Sequence, residues 1–306
     1  MKNTFLRLLG LCSLLVLAAC ATPKVETPPQ VVPGYEGVED EGFFIQPVEA
    51  ELLTADRART EVDYAADDAP GMIVVDTFAR KLYYVLENGR AMRYAIAVGR
   101  EGLSFRGAGV IGRKETWPSW QPTANMVRTR PDMYAEFANG LPGGLENPLG
   151  ARAMYLYRNG RDSMFRIHGT VQNASIGHAT SAGCIRLFNQ DAIELYNRVE
   201  TGTRVKVRSL DESIAVEGPY MDDAYGRAVP DTLENVAQRE KDVITIAEEE
   251  AAKIQADAKA AEAAAKLAVK ADRKRLSACR RNKIDAENCP PLPEMTAAAD
   301  GPAFSG

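Results

Sequence analysis

The sequence predicts a β-rich α+β domain that is followed by one long C-terminal helix. Three observations lead to this prediction: short apolar runs rich in β-branched residues, turn signals between those runs, and an alanine-rich charged stretch near the C-terminus. Many short strands with few helices are typical of the α+β class. The chain has 306 residues, which is enough for one or two domains.

Six segments of the predicted domain have the pattern of strands. Asn88-Gly89 and Asn159-Gly160 are hairpin signals between pairs of these segments. The last segment alternates apolar and polar residues, which indicates a half-buried strand. The predicted strands cover residues 72–75, 81–86, 92–98, 153–157, 164–168 and 203–207.

One helix is predicted inside the domain, directly after the last motif discussed below. Asn189 is a suitable N-cap, Asp191 suits the first turn, and Gly202 closes the helix. Four residues at helical spacing then share one apolar face: Ala192, Leu195, Tyr196 and Val199.

A second, much longer helix is predicted over residues 231–278. Asp231 and Glu234 fit an N-terminal capping pattern. Residues 247–278 include 13 alanines interleaved with charged side chains, a composition of high helix propensity. A sustained heptad would need an apolar residue seven positions after Val243, but that position is Glu250. The pattern favours a solvated single helix or a weak coiled coil over a firm dimer.

The N-terminus has the pattern of an export signal over residues 1–19. A positive start is followed by an apolar run over residues 8–17, which is too short to span a membrane. The order Leu17-Ala18-Ala19-Cys20 resembles the lipobox of bacterial lipoproteins, and this resemblance implies cleavage before Cys20 and lipid on that residue. The alternative is a simple secretory signal with an incidental cysteine. Ala21 favours sorting to the outer membrane, so a periplasmic, lipid-anchored protein is predicted.

Three other segments are predicted to lie outside the domain of residues 71–208. Residues 20–70 are proline-rich and acidic, which predicts a tether that is disordered or loosely packed, except for a small part near residues 43–45 or Leu52. Residues 209–230 are predicted to be a linker, and residues 279–306 a largely disordered tail. In that tail Cys279 and Cys289 could form a disulfide in an oxidising compartment.

Composition excludes some classes of function. The net charge is −5 and the pI is near 5.4, so nothing favours nucleic acid as a partner. Only 2 histidines are present, which excludes a histidine-rich metal site. No metal and no cofactor is predicted.

The cysteine assignments leave Cys184 without a predicted disulfide or lipid. A thiol attacks acyl carbons as the thiolate, and a neighbouring imidazole can accept its proton. The two candidates for that imidazole are His168, at the end of a predicted strand, and His178. Backbone N–H groups around Gly183 and Cys184 could bind an oxyanion. The alternative is that Cys184 is a buried apolar residue and His168 a surface turn residue.

The motif around these residues resembles the L,D-transpeptidase catalytic domain, a YkuD-like family. His168-Gly169 is followed, after residues 170–180, by Ser181-Ala182-Gly183-Cys184-Ile185-Arg186. The resemblance covers about residues 71–208 and implies a β-sandwich with one or two short helices. Ala182 departs from the family pattern, because many relatives have His there.

The resemblance also implies a mechanism and a set of site residues. Cys184 is the nucleophile, His168 is the base, and the Gly169 carbonyl orients the imidazole. The implied substrates are peptidoglycan stem peptides: a thioester forms, D-alanine leaves, and an amine of a second stem or of an envelope protein accepts the acyl group. Two alternatives remain, a carboxypeptidase with water as acceptor and a non-catalytic envelope scaffold based on the long helix. Further candidates, each with a structural alternative, are Gly183 and Ser181 near the oxyanion, and Arg186, Trp120 and His178 for substrate.

Overall fold

The main element of the fold is one eleven-stranded mixed β-sheet. The computed structural model describes residues 31–99, 107–180 and 184–290. Five of the six predicted strands are present as single strands, whereas the predicted strand over residues 92–98 divides at Ile96 into two strands that pair in different parts of the sheet. The β-rich α+β prediction with a long C-terminal helix is confirmed at this level. The strands of the sheet are β3 (Thr60–Asp63), β4 (Ile73–Asp76), β5 (Lys81–Val85), β6 (Arg90–Ala95), β7 (Ala97–Gly99), β8 (Gly107–Thr116), β9 (Arg152–Arg158), β10 (Arg161–His168), β11 (Ala179–Thr180), β12 (Ile185–Arg186) and β13 (Arg204–Val207).

The sheet folds over on itself, so that strands from both halves share one core. The strand order is β11-β7-β12-β10-β9-β8-β13-β4-β5-β6-β3. β6 and β7 are consecutive in the chain and lie near opposite ends of this order, with the fully buried Ile96 between them. The core therefore contains side chains from both halves, including Val75, Leu82, Tyr94, Val98, Met154 and Ile167.

Five α-helices accompany the sheet among the described residues. The helix predicted after the motif is present, but it begins at Asn189 itself and is preceded by Phe188, which makes no side-chain cap hydrogen bond. Asn189 is therefore not the N-cap, because its amide is used elsewhere, as described below. The helices are α1 (Ala124–Thr129), α2 (Pro131–Tyr134), α3 (Asn189–Arg198), α4 (Leu210–Glu217) and α5 (Leu233–Arg281).

The predicted tether packs on the domain from residue 31 onward. β1 (Val38–Asp40) and β2 (Phe43–Ile45) form a hairpin, and β3 adds a strand beside β6. Tyr35 is buried against the Phe188 ring, with centroids 5.8 Å apart. The acidic composition did not predict this packing, because a few apolar side chains and buried ion pairs are enough to hold the segment on the domain. One such pair is Asp40 with Arg152 (2.6 Å).

The predicted linker over residues 209–230 is also ordered. Ser209 and Glu212 form a capping box at the start of α4. Glu217, at the end of α4, accepts hydrogen bonds from Lys81 (2.8 Å), Tyr83 (2.6 Å) and Arg208 (2.8 Å). The hairpin of β14 (Tyr220–Asp222) and β15 (Ala228–Pro230) follows. These contacts join the segment to the sheet, and the glycines and prolines that suggested a linker mark its turns.

α5 has 49 residues, or roughly 73 Å at 1.5 Å per residue. Its N-cap is Thr232 rather than Asp231, because the Thr232 hydroxyl accepts from the Asn235 N–H. Cys279, near its end, forms a disulfide with Cys289. None of the helices in the described ranges combines the length and the hydrophobicity that a membrane span requires.

Candidate active site

His168 is the last residue of β10, and its side chain is only 3% exposed. The ring Nδ1 lies 2.5 Å from the Gly169 carbonyl oxygen. With Nδ1–H donating to that carbonyl, Nε2 carries the lone pair and can accept a proton. Gly169 is also the residue to whose carbonyl the family resemblance assigned the orienting role.

The strand register brings Cys184 to the same face of the sheet as His168. β10 and β12 are parallel neighbours, with Ile167 opposite Ile185 and His168 opposite Arg186. Both isoleucines point into the core, so His168 and Arg186 face the other side. Cys184 lies two residues before Arg186, and its carbonyl accepts from the Gly99 N–H at 3.3 Å in continuation of the ladder.

Cys184 is half-buried and carries a thiol rather than a disulfide. A nucleophile needs access to substrate, and a fully sealed sulfur would have none. A half-buried position on the imidazole face therefore fits the chemistry expected of it.

Burial sets the protonation state of the imidazole. It lowers the pKa of His168 to about 3, and the charge of Arg186 acts in the same direction. Hydrogen bonds with the backbone of Gly169 and Leu149 act in the opposite direction. The ring is therefore neutral near pH 7.

Asn189 holds the turn that follows His168, a contact that the sequence prediction missed. Its Nδ2 donates to the Thr170 carbonyl at 3.0 Å, and its Oδ1 accepts from the Ala151 N–H at 2.9 Å. The sequence signal was ambiguous, because Asn before a helical pattern is typical of an N-cap.

The other candidates lie in three different places. Arg186 donates to the Gln172 Oε1 (3.1 Å) beside the site. Trp120 is half-buried and packs with the Tyr134 ring at 6.2 Å, in the segment between β8 and β9. His178 lies against the β14–β15 hairpin, where its Nδ1 is 3.1 Å from the Tyr225 carbonyl oxygen.

The remaining predicted site residues lie outside the described part of the chain: Ser181, Gly183 and Cys20. Within the described ranges, no group of three or more His, Cys, Asp or Glu side chains is arranged to hold a metal ion.

Comparison with known proteins decides the family. Residues 70–207 match the YkuD family, described as the L,D-transpeptidase catalytic domain. A Fuscovulum blasticum protein named "Putative L,D-transpeptidase in ATP synthase subunits region ORF 5" is 37% identical over 44% of this chain and 68% of its own length. The chain belongs to the L,D-transpeptidase family. The prediction of an L,D-transpeptidase enzyme is thereby confirmed at the level of this family.

Other relatives agree with this assignment over a smaller share of their length. The probable L,D-transpeptidase ErfK/SrfK of Escherichia coli is 34% identical over 44% of this chain and 43% of its own length. The match with the Salmonella typhimurium protein of that name covers 46% of its length, so the chain spans less than half of both proteins.

Solved structures are also similar to part of the chain. A Brucella melitensis protein described as a probable carnitine operon oxidoreductase is 44% identical, covering 52% of this chain and 96% of its own, with a TM-score of 0.36. L,D-transpeptidase 3 of Mycobacterium tuberculosis is 15% identical, covering 45% of this chain and 60% of its own, with a TM-score of 0.34. These TM-scores are low, so the family assignment rests on the sequence matches.

Proposed function

We propose that this protein is an L,D-transpeptidase of the bacterial cell envelope that acts on peptidoglycan stem peptides, with Cys184 as nucleophile and His168 as base. The observation that carries the proposal is the parallel pairing of β10 with β12, in which His168 lies opposite Arg186, two residues after Cys184. The contact of Nδ1 with the Gly169 carbonyl, which leaves the lone pair on Nε2, supports the role of the base. Membership of the family supports the substrate class.

The first half of the reaction is acylation. His168 Nε2 takes the Cys184 proton, and the thiolate attacks the carbonyl carbon between the third and fourth residues of a tetrapeptide stem. The tetrahedral intermediate carries its negative charge on the former carbonyl oxygen, and the backbone N–H groups of Gly183 and Cys184 are proposed to stabilise it. The C–N bond breaks, the imidazolium returns its proton to the leaving amine of D-alanine, and a thioester remains on Cys184.

The second half transfers the acyl group to an amine. The amine loses a proton to His168 as it attacks the thioester carbonyl, and the Cys184 sulfur leaves and recovers that proton. An amine of a second stem produces a 3→3 cross-link, and a lysine of an envelope protein produces a covalent attachment. Water as acceptor would instead produce a tripeptide, which makes the carboxypeptidase the second candidate.

Several site assignments accompany this proposal. Arg186, two residues after Cys184, is proposed to hold a carboxylate of the stem, since its guanidinium has a planar fork of donors. Trp120 and His178 are proposed as further substrate contacts, and Ser181 as a donor near the thiol.

Anchoring through lipid on Cys20 would hold the enzyme at the outer membrane, facing the periplasm. The test is mass spectrometry of the mature protein from membranes, where an N-terminal peptide starting at unmodified Cys20 or further along the chain would contradict it. The non-catalytic scaffold remains a separate candidate, because α5 extends roughly 73 Å and is exposed along nearly all of its length. It predicts that deleting α5 abolishes the cellular role while Cys184→Ala does not.

Muropeptide analysis tests the catalytic proposal. The purified protein is incubated with tetrapeptide-stem muropeptides, and D-alanine, tripeptides and dimers are measured. Dimers with D-alanine release support transfer, whereas tripeptides alone support hydrolysis. Cys184→Ala should abolish all products while leaving the thermal unfolding midpoint within a few degrees, and a folded wild-type enzyme that releases no D-alanine would refute the proposal.

A further inference from the structure

We infer that Asn189 is a positioning residue for His168: it fixes the turn whose carbonyl orients the imidazole. The inference rests on the proposed function, because it concerns the base of that reaction. Asn189 does not touch the reacting atoms, and it acts through Gly169 and Thr170.

The side-chain amide of Asn189 joins two chain segments behind the site. Its Nδ2 donates to the Thr170 carbonyl at 3.0 Å and its Oδ1 accepts from the Ala151 N–H at 2.9 Å. The side chain is buried, at 7% exposure, so water cannot replace either bond easily. A single planar amide therefore sets the spacing between the start of β9 and the end of β10.

Two glycines show how closely this amide fits the turn. A Cβ added at Gly169 or at Gly150 would overlap the Asn189 Oδ1. Gly150 also has a φ of +62°, which disfavours a side chain for a second reason. The backbone at both positions thus packs directly against the amide, and movement of one requires movement of the other.

The same turn determines which nitrogen of His168 can accept a proton. The Gly169 carbonyl accepts from Nδ1–H, and the Gly169 N–H donates to the Arg152 carbonyl at 3.0 Å. If the Thr170 carbonyl lost its donor, the peptide planes of this turn could rotate and the Gly169 oxygen would leave Nδ1. The buried ring would then change its orientation or its tautomer, and Nε2 would no longer be held as the acceptor.

The adjacent residue is a matched control. Gln190 is equally buried and also makes two side-chain hydrogen bonds to backbone, donating to the carbonyls of Glu36 (3.1 Å) and Gln46 (2.9 Å). These bonds hold the N-terminal segment and not the turn after His168. Loss of the Gln190 side chain should therefore lower stability to a similar extent without changing the state of His168.

The experiment measures the reactivity of Cys184 without any substrate. The purified protein and its variants Asn189→Ala, Gln190→Ala and His168→Gln are alkylated with iodoacetamide near pH 7, and the rate at Cys184 is followed by mass spectrometry. We expect Asn189→Ala to lower the rate by about tenfold or more, toward that of His168→Gln, because general-base help is typically worth about 10²–10⁴-fold. Gln190→Ala should keep the wild-type rate.

Two further readouts separate positioning from general destabilisation. Asn189→Ala should lower kcat for stem peptides with little change in KM, and the NMR signal of the His168 Nδ1 proton should shift or disappear. Asn189→Asp serves if the alanine variant does not fold, because it keeps the acceptor for Ala151 and loses the donor to Thr170. Reduced Cys184 reactivity in that variant would support the inference, and unchanged reactivity would overturn it.

The remaining outcomes distinguish this inference from the proposed function. An activated wild-type thiol with equal rates in the Asn189 and Gln190 variants would overturn the positioning role alone. A wild-type Cys184 that reacts no faster than in His168→Gln would overturn the proposed pairing of Cys184 with His168, and this inference with it.

Discussion

His168 should remain neutral far below the pH at which an ordinary histidine becomes charged. Burial together with the charge of Arg186 lowers its pKa to about 3, against an ordinary value of 6.5. At pH 5 an ordinary imidazole is roughly 97% protonated, whereas His168 should be roughly 1% protonated. Protonating the buried ring is therefore unfavourable until the pH approaches 3.

This shift has a consequence for stability whose sign is fixed by proton linkage. Below about pH 6.5 the unfolded chain binds a proton on this histidine, while the folded chain does not until the pH nears 3. The contribution of the neutral His168 ring to the free energy of unfolding is thus fully present above pH 6.5 and is lost as the pH falls toward 3. The loss is about 1.4 kcal/mol per pH unit, which amounts to about 2 kcal/mol at pH 5.

NMR can test this prediction directly, because the chain has only 2 histidines. The ring signals are followed from pH 8 to pH 4, and His178→Gln assigns the remaining signal to His168. The free energy of unfolding is measured with urea at pH 7 and at pH 5. Between these two pH values, its decrease should be about 2 kcal/mol smaller in His168→Gln than in the wild type. A His168 signal that titrates with a midpoint near 6.5 would refute the account of the buried, neutral base.

Other predictions concern the parts around the site. Glu217→Ala should lower the free energy of unfolding by about 3 kcal/mol, because it removes the acceptor of three buried or half-buried donors. The control is the exposed cap variant Glu212→Ala, and a smaller loss of unfolding free energy in Glu217→Ala than in this control would contradict the prediction. Gly150→Ala should lower both stability and turnover, measured by urea unfolding and D-alanine release, because its Cβ overlaps the Asn189 amide; full activity would count against this. Reducing the disulfide of Cys279 should leave turnover unchanged, since the disulfide closes the far end of α5, and loss of D-alanine release would argue otherwise.

Most of the strands were predictable from the sequence because their signals are local. Alternation, hairpin dipeptides and β-branched runs determine β5, β6, β9, β10 and β13 within a few residues. The position of His168 at a strand end and the contact with the Gly169 carbonyl followed from a local turn and from the family resemblance. The pairing of β10 with β12 was not visible, because strand register depends on contacts far apart in the chain.

The errors have a common cause, which is tertiary contact that composition does not reveal. Acidic residues predicted a loose N-terminal tether, yet Asp191 inside the domain binds Arg59 at 2.7 Å and accepts from the Tyr35 hydroxyl at 3.2 Å. Asn189 is of a residue type that is common at helix N-caps, yet its amide forms hydrogen bonds with the backbone next to two strand ends instead. The Asp191 partners lie more than 130 residues away in sequence, and the Asn189 partners Thr170 and Ala151 lie 19 and 38 residues away, beyond the reach of a local pattern.

The packing of β3 along the edge of β6 determines how far the chain can be shortened. A protein trimmed to the family match at residues 70–207 would lose β3, and the backbone N–H and C=O groups of β6 would then form an open edge. Tyr35 and Val48, which shield Phe188, would be lost as well. Open edges pair readily with other chains, so the shortened protein should aggregate, whereas one that begins near residue 31 should stay monodisperse.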